Sequence, residues 1–441
     1  MRIIPRLFCA MLLLAACAVT VLAQQAEKNI GESRRNGLKM LKDIKSALKE
    51  HYYDPTFHGL DLDARFQLAA EKMGQATTGG QVFGIIAQAV LDLNDSHTMF
   101  IPPAHGEVAV YGWRMKMIGD ACYVTAVAPG SDAEAKGLKA GDQVLALDGN
   151  EPTRDTMWKM YYYYYALRPK SRIRVAFRTP AGEAREAEVL TQVHKITVRV
   201  ESGWIDVKTY SPDMEDDEGT GPRYEEFGPD LVVCRLPSFE IDPSDVDKMM
   251  KKVGGHKALV LDLRGNPGGF VVSLERFAGY FFDHEVKIAD LKERKEAKEM
   301  KAKPSKTNVF GGKLIVLVDG QSASAAEIFA RLVQIEKRGV VLGDHTSGSV
   351  MEGRRYDLLG GSQYDPVIYG MSITDADLVM TDGKSLEGCG VAPDELLLPS
   401  VEDISARRDP VMARAAALAG VELTPEKAGI LFGSKSKKAS N

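Results

Sequence analysis

The sequence predicts a multidomain α/β protein with an N-terminal helical region, a small β-rich module and an α/β core. Three observations support this fold class. Apolar residues recur at helical spacing over 28–100. Short apolar runs separated by turn residues occupy 107–192. From Leu231 onward, apolar strands alternate with helices, which is typical of a mainly parallel sheet with helices on its faces. The length of 441 residues suits about three domains.

The composition is that of an ordinary globular protein. Hydrophobic residues make up 44% and charged residues 27% of the chain, which excludes a disordered, collagen-like or disulfide-scaffold protein. The 56 basic and 61 acidic side chains give a formal charge of −5. Because nucleic-acid binding requires a basic surface, we expect no nucleic-acid partner.

The N-terminus predicts export. Two arginines precede an apolar run that ends at Ala23, and a polar stretch follows, so we interpret residues 1–23 as a secretory signal peptide. A Leu-Ala-Ala-Cys box ending at Cys17 offers a second interpretation, a bacterial lipoprotein with a lipid on this cysteine. An uncleaved membrane anchor is the third. Each interpretation exports the protein, so we expect it in the bacterial periplasm or cell envelope, with membrane association through the signal or a lipid anchor.

The cysteines and histidines predict neither a disulfide framework nor a metal site. Cys122, Cys234 and Cys389 remain after the signal segment, and none belongs to a Cys-x-x-Cys pair. One disulfide bridge stays open to these three residues. The eight histidines form no His-Glu-x-x-His motif and no tight cluster with cysteine. We accordingly expect no metal and no other cofactor.

The first domain, residues 24–106, is predicted to be helical. Apolar spacing indicates helices over Ile30–His51, Leu60–Met73 and Val82–Leu93. The last helix leads into a polar Asn-Asp-Ser-His sequence at 94–97, in which a histidine directly follows a serine.

The second domain, residues 107–192, is predicted to be β-rich. We expect strands at Ala121–Val127, Gln143–Leu147, Arg172–Arg178 and Glu183–Thr191, with a helix over Thr156–Leu167. The five consecutive tyrosines at 161–165 fall on all faces of this helix, so we interpret them as a packing face plus exposed rings rather than as a special aromatic site. The order of elements and the Ser-x-Ala-x-x-x-Gly-Leu-x-x-Gly-Asp string over 131–142 resemble a circularly permuted PDZ domain of the bacterial protease type.

The third domain, residues 193–400, is predicted to be an α/β core, with a C-terminal helix and a basic tail over 401–441. We expect strands at Leu231–Arg235, Ala258–Leu263, Leu314–Val318 and Val340–Leu342, and helices at Pro243–Val253, Val271–Phe282, Ala325–Glu336 and Asp409–Ala419. Residues 211–230 are predicted to form a surface loop, and the Lys/Glu-rich residues 286–306 a solvated helix or a hairpin. Sites in such sheets collect at the carboxyl ends of the strands.

Ser324 is the candidate nucleophile. It follows a buried strand and opens a helix, where the helix dipole and unpaired N–H groups suit an adduct that carries an oxyanion. The alternative is structural, because Ser324 and Glu327 also have the spacing of a capping box. The Gly-rich turn 262–269 can aim N–H groups at an anion, although by itself it is an ordinary strand-to-helix turn. His97 could accept the serine proton and Glu387 could orient its ring, but a histidine in this setting, taken alone, is more often structural.

The chain resembles the C-terminal processing (tail-specific) serine peptidases, a family that includes the tricorn-type enzymes. The resemblance rests on the order of the segments and on three motifs: Asp-Leu-Arg-Gly-Asn-Pro-Gly-Gly at 262–269, Ser-Ala-Ser-Ala-Ala-Glu-Ile at 322–328 and Glu-Gly-x-Gly-Val-x-Pro-Asp at 387–394. It implies a peptidase core related to the crotonase/ClpP fold and a PDZ domain that selects substrates. It also implies that Ser324 is the nucleophile, with the N–H groups of Gly269 and Ala325 as oxyanion donors.

One position departs from the family pattern. The processing peptidases use a Ser/Lys dyad, but the position 25 residues after Ser324 holds Ser349, and no lysine occurs between 338 and 383. The tricorn-type branch uses Ser-His-Ser-Glu instead, and its adjacent Ser-His pair resembles Ser96-His97. The resemblance therefore implies His97 as general base, oriented by Glu387 and assisted by Ser96. His345, in the loop where the lysine would lie, is the reserve base.

These residues predict an exported serine endopeptidase that works through an acyl-enzyme. Its PDZ groove would bind substrate C-terminal tails by β-augmentation, with the tail carboxylate near 110–114. Arg114 could add charge there, although an arginine in this setting is more often simply solvated. The missing lysine motivates an alternative, a catalytically inactive peptide-binding or scaffold protein of the cell envelope. A third class, a crotonase-like acyl-CoA enzyme, follows from fold analogy alone, and export and the PDZ-like module argue against it.

Overall fold

Residues 29–103, 107–167, 170–195, 221–306, 308–362 and 365–432 are described by a computed structural model of the chain. The predicted signal peptide 1–23, with its alternative lipid-bearing Cys17, lies outside the described residues, as do residues 211–220 of the predicted surface loop and most of the basic tail. The described chain is a mixed α/β protein and divides into two compact units. Among the described residues, the first unit combines those up to 103 with those of 354–373, and the second combines those of 107–353 with those of 374–432.

The first unit is mainly helical. Its helices span 29–51, Leu62–Met73 and Gly79–Leu91. Asp61 and Thr78 cap the second and third of these helices by accepting backbone N–H groups of the first turn. The short strand Met99–Ile101 pairs antiparallel with the first half of the long strand Asp365–Met380. None of the described helices combines the length and the apolar character needed to cross a lipid bilayer.

The N-terminal part of the second unit is a five-stranded antiparallel sheet. Its strands follow one another in chain order: Trp113–Ile118, Ala121–Val127, Gln143–Leu147, Arg172–Arg178 and Ala184–Leu190. The helix Arg154–Tyr161 continues as a π-helical turn over Tyr162–Leu167. Four tyrosines pack against the apolar face of this sheet, namely Tyr161, Tyr163, Tyr164 and Tyr165, and Tyr162 is buried as well. The packing face agrees with the prediction, but the expected exposed rings are wrong, because none of the five tyrosines is exposed.

The C-terminal part of the second unit is a six-stranded sheet covered by helices on both faces. The strand order is Glu395–Leu396, Val340–Gly343, Lys313–Val318, Ala258–Asp262, Leu231–Arg235 and Arg223–Phe227. All neighbouring pairs are parallel except the last, which is antiparallel. The helices Pro243–Val253, Val271–Ala278 and Ala325–Ile335 pack on one face, and Pro410–Leu418 and Pro425–Ala428 on the other. Because both faces are covered, every residue of Ala258–Asp262 is buried.

The structure corrects one predicted loop and resolves one open alternative. The described end of the predicted surface loop contains the edge strand Arg223–Phe227, so a loop over all of 211–230 is wrong. The charged segment 286–306 forms a hairpin of Val286–Glu293 and Ala297–Ala302, one of the two predicted forms. The long strands Met351–Ser362 and Asp365–Met380 were not predicted, and the second half of Asp365–Met380 pairs with the hairpin.

Candidate active site

Ser324 adopts a backbone conformation that is rare for a residue with a side chain. It joins the strand Lys313–Val318 to the helix Ala325–Ile335 and has φ +53° and ψ −119°. Such a conformation costs on the order of 1–3 kcal/mol and persists only where its surroundings enforce it. Here the Ser324 N–H donates to the Ser349 C=O at 2.9 Å and to the Glu327 carboxylate at 3.0 Å. The serine is therefore held in a strained, sharply turned position at the carboxyl edge of the sheet.

A glycine loop lies directly against Ser324. Gly268 has φ +97° and Gly269 φ +143°, a region that favours glycine. A Cβ on Gly268 would lie 2.6 Å from the Ser324 Cβ and 3.0 Å from the Ala325 nitrogen. A Cβ on Gly269 would lie 2.3 Å from the Glu240 nitrogen. Only glycine therefore lets this backbone approach the serine so closely.

The two predicted oxyanion donors, the N–H groups of Gly269 and Ala325, belong to this contact. Ala325 is the first residue of its helix, so its N–H has no acceptor within the helix. The Gly268 N–H donates to the Asn266 Oδ1 at 2.8 Å and is thus engaged. Among the backbone hydrogen bonds of the described residues, neither Gly269 nor Ala325 is a donor. The assignment of these two N–H groups to an oxyanion stays a prediction.

Asp319 holds the glycine loop and the serine turn together. Its buried carboxylate accepts the N–H groups of Gly265 at 2.9 Å, Gln321 at 3.0 Å and Ser322 at 3.1 Å. It also pairs with the ammonium of Lys116, which belongs to the five-stranded sheet. Burial alone would raise the pKa of Asp319, but Lys116 and the N–H donors outweigh it and hold this pKa below its ordinary value. The sequence motifs did not identify Asp319 as part of the site.

Glu327 organises the surroundings of Ser324 more extensively than a helix cap would. Its fully buried carboxylate accepts the N–H groups of Ser324, Gly348 and Ser349 and the hydroxyl of Thr346. The capping-box spacing predicted only the first of these contacts. Burial raises the pKa of Glu327 to about 7, although the four hydrogen bonds favour the carboxylate.

This pKa predicts how stability depends on pH. Between the ordinary value of 4.5 and about 7, folded Glu327 binds more protons than unfolded Glu327, so its contribution to stability rises as the pH falls. From about pH 8 to about pH 4.5, the unfolding free energy of the wild type should gain on the order of 3 kcal/mol relative to Glu327→Gln. Urea titrations at several pH values measure this difference. Glu336→Gln, at an exposed glutamate ending the same helix, is the control, and parallel curves for wild type and Glu327→Gln would contradict the prediction.

The segment that carries the lysine in related peptidases lies beside Ser324. Ser349 accepts the Ser324 N–H with its C=O, and its hydroxyl lies 2.9 Å from that of Ser347. His345 is exposed, and its N–H donates to the Asp344 carboxylate at 2.7 Å. No contact of the His345 ring with Ser324 occurs among the described residues.

Glu387 lies on a loop attached to the same segment. Its carboxylate accepts the Val350 N–H at 2.7 Å, and the Gly388 N–H donates to the Gly348 C=O at 2.8 Å. The second unit thus brings Ser324, the 346–350 segment and the Glu387 loop together through a continuous set of hydrogen bonds.

Ser96 and His97 belong to the first unit, where they form a hydrogen-bonded pair. The Ser96 hydroxyl oxygen lies 2.8 Å from the His97 Nδ1. The Asp95 carboxylate accepts the N–H groups of His97 at 2.9 Å and Thr98 at 3.1 Å, which fixes the backbone of this turn. Burial lowers the pKa of His97, and Asp95 only partly opposes it, so the imidazole is neutral at neutral pH. In the tautomer whose Nδ1–H donates to the Ser96 hydroxyl, the neutral ring offers Nε2 as a proton acceptor. The role of His97 as base stays a prediction.

Comparison with known proteins identifies the class. Residues 230–397 match Peptidase family S41. The chain is 24% identical over 353 residues to the tail-specific protease of Haemophilus influenzae, covering 76% of this chain and 48% of that protein. It is 23% identical over 336 residues to the carboxyl-terminal-processing protease of Picosynechococcus, covering 73% and 74%. The chain thus spans about half the length of the Haemophilus relative.

A solved structure supports the fold. The structure of mature CPAF complexed with lactacystin superposes with a TM-score of 0.63 at 16% identity, covering 85% of this chain and 95% of that one. The matched segment therefore has the sequence of a Peptidase family S41 domain, and both relatives are named as proteases. These matches confirm the predicted resemblance to the C-terminal processing, or tail-specific, peptidases.

Proposed function

We propose that this chain is an exported serine endopeptidase that cleaves peptide bonds through an acyl-enzyme. The observation that carries the proposal is Ser324, held at φ +53° against a glycine loop at the positive end of a helix. A merely structural helix cap has no need of this conformation, because capping residues adopt extended backbone angles. The strain is accounted for if the serine hydroxyl must project toward a substrate.

Each proposed residue has a defined step. His97, oriented by Glu387 and assisted by Ser96, accepts the Ser324 proton as Oγ attacks the scissile carbonyl. The N–H groups of Gly269 and Ala325 stabilise the oxyanion. Collapse of the tetrahedral intermediate breaks the C–N bond, and the leaving amine takes the proton from His97. Water, deprotonated by the same imidazole, then hydrolyses the acyl ester and restores the serine.

The five-stranded sheet is proposed to act as a PDZ domain that binds the C-terminal tail of a protein or peptide substrate. Trp113–Ile118 is the first strand of this sheet and pairs on one side with Ala121–Val127. Its other edge is the place where an extended tail would add as a further strand. The tail carboxylate would meet the N–H groups near 110–114, with Arg114 adding positive charge. We also propose that the six-stranded sheet with its covering helices is a crotonase/ClpP-like core.

Export rests on the N-terminal sequence. A signal peptide over 1–23 would deliver the protein to the periplasm or cell envelope, and lipidation of Cys17 would anchor it there. The proposed division into domains at 24–106, 107–192, 193–400 and 401–441 follows the same sequence analysis.

The second candidate is an inactive peptide-binding protein of the envelope, which Ser349 at the lysine position favours. A fluorophosphonate, which reacts with activated serines, separates the two. We expect stoichiometric labelling that peptide mass spectrometry places on Ser324, together with cleavage of a tailed peptide. A folded chain that binds the peptide without labelling or cleavage would establish the scaffold instead.

A further inference from the structure

We propose that Asp409 is a positioning residue for the oxyanion loop and acts through Arg264. Asp409 begins the C-terminal helix Pro410–Leu418 and lies beyond residues 230–397, which match the peptidase family. The inference rests on the proposed function, because it concerns the loop that carries the Gly269 N–H.

Arg264 is clamped between two carboxylates. Its Nε and one terminal nitrogen donate to the two oxygens of Asp262 at 2.8 and 2.9 Å. Its two terminal nitrogens donate to the two oxygens of Asp409 at 3.0 and 2.8 Å. Paired contacts of this kind fix the plane of a guanidinium as well as its position. The side chain of Arg264 is therefore held in one orientation from both sides.

The clamp formed by Arg264 with Asp262 and Asp409 lies at the start of the oxyanion loop. Arg264 directly precedes Gly265, which turns the chain at φ +74° and leads to Gly269. Asp262 ends a strand that is buried on both faces and thus provides a rigid anchor. Burial opposes ionisation there, but the Arg264 guanidinium lowers the pKa of Asp262 to about 2, so the pair is charged at neutral pH.

Asp409 has two separable tasks. Its carboxylate caps the C-terminal helix by accepting the Met412 N–H at 2.9 Å, and it also binds Arg264. Asparagine caps helices about as well as aspartate. It carries no charge, however, and offers one oxygen where the guanidinium needs two. Asp409→Asn therefore removes the clamp while preserving the cap.

The test compares Asp409→Asn with Asp61→Asn in the full chain. Asp61 caps another helix in the same way and has no part in the site. For Asp409→Asn we expect kcat to fall about 10–100-fold with KM and the thermal midpoint little changed, since small misplacements of reacting groups have effects of this size. Asp61→Asn should leave kcat unchanged. Arg264→Lys, which keeps one positive charge but cannot bind both carboxylates in pairs, should reproduce the loss of kcat.

A peptide boronate gives a readout that a purely structural role would not move. It forms a tetrahedral, oxyanion-like adduct, so its affinity should fall in Asp409→Asn in parallel with kcat/KM, while the affinity of a product peptide stays constant. If Asp409→Asn and Arg264→Lys both keep the kcat and the boronate affinity of the wild type, the proposed role of Asp409 is overturned. A wild type that fluorophosphonate fails to label would overturn the proposed function, and the inference with it. The two failures are thus distinguishable.

Discussion

Peptide cleavage is expected to disappear when Ser324 is replaced by alanine. Loss of the nucleophile removes the covalent route, and comparable changes in serine peptidases lower kcat by about 10⁴–10⁶-fold. The rate of release of a fluorescent group from a tailed peptide measures the effect. Ser347→Ala, which removes a neighbouring hydroxyl that has no assigned step, is the matched control and should retain most of the activity.

Replacing Ser324 by glycine distinguishes the loss of the nucleophile from the relief of backbone strain. Ser324→Gly should be as inactive as Ser324→Ala, yet more stable than it by about 1 kcal/mol, because glycine adopts φ +53° without steric cost and alanine does not. Urea unfolding of both variants measures the difference. Equal stabilities would show that the conformation is not strained, and residual cleavage in either variant would remove Ser324 from the nucleophile role.

Replacing His97 by alanine should reduce kcat/KM by about 10²–10⁴-fold, the range that positioned acid–base groups contribute. The neutral imidazole, bonded through Nδ1 to Ser96, is the group proposed to take the serine proton. His345→Ala is the paired variant, because His345 is exposed and contacts Asp344. It should leave the rate close to that of the wild type.

The opposite result would change the assignment of the general base. Activity that survives in His97→Ala and is lost in His345→Ala would assign the base to His345. Activity that survives in both single variants and in the double variant would exclude both imidazoles as the proton acceptor. Fluorophosphonate labelling of each variant shows whether the serine is still activated when peptide turnover is slow.

Several elements could be predicted closely because local chemistry and burial agree. The helix Pro243–Val253 begins with proline at a position that needs no N–H, and its apolar face is buried on the sheet. The strand Leu231–Arg235 is an apolar run with both faces covered. In such segments the pattern read from the sequence and the packing in the fold carry the same information.

The missed strands depend on distant partners. Met351–Ser362 contains four charged residues, and the apolar residues of Asp365–Met380 are interrupted by Gly370, Asp375 and Asp377, so neither strand is one continuous apolar run. Asp365–Met380 is ordered by pairing with Met99–Ile101 and with Val286–Glu293. Contacts between segments so far apart in the chain leave little trace in local periodicity.

The same limit applies to the site. Motifs identified Ser324 as the candidate nucleophile and the glycine loop as the candidate oxyanion loop, because turns of both kinds have short signatures. They did not reveal that Glu327 binds the 346–349 segment or that Asp319 joins the glycine loop to the serine turn, since these hydrogen bonds connect segments whose proximity only the fold establishes.

At residue 349, the main chain and the side chain make separate hydrogen bonds. The C=O and N–H groups support Ser324 and Glu327, and any amino acid other than proline supplies both. The Ser349 hydroxyl lies 2.9 Å from the Ser347 hydroxyl. The main-chain support of Ser324 therefore does not depend on which side chain residue 349 carries, and a serine in place of the lysine of related peptidases leaves that support in place.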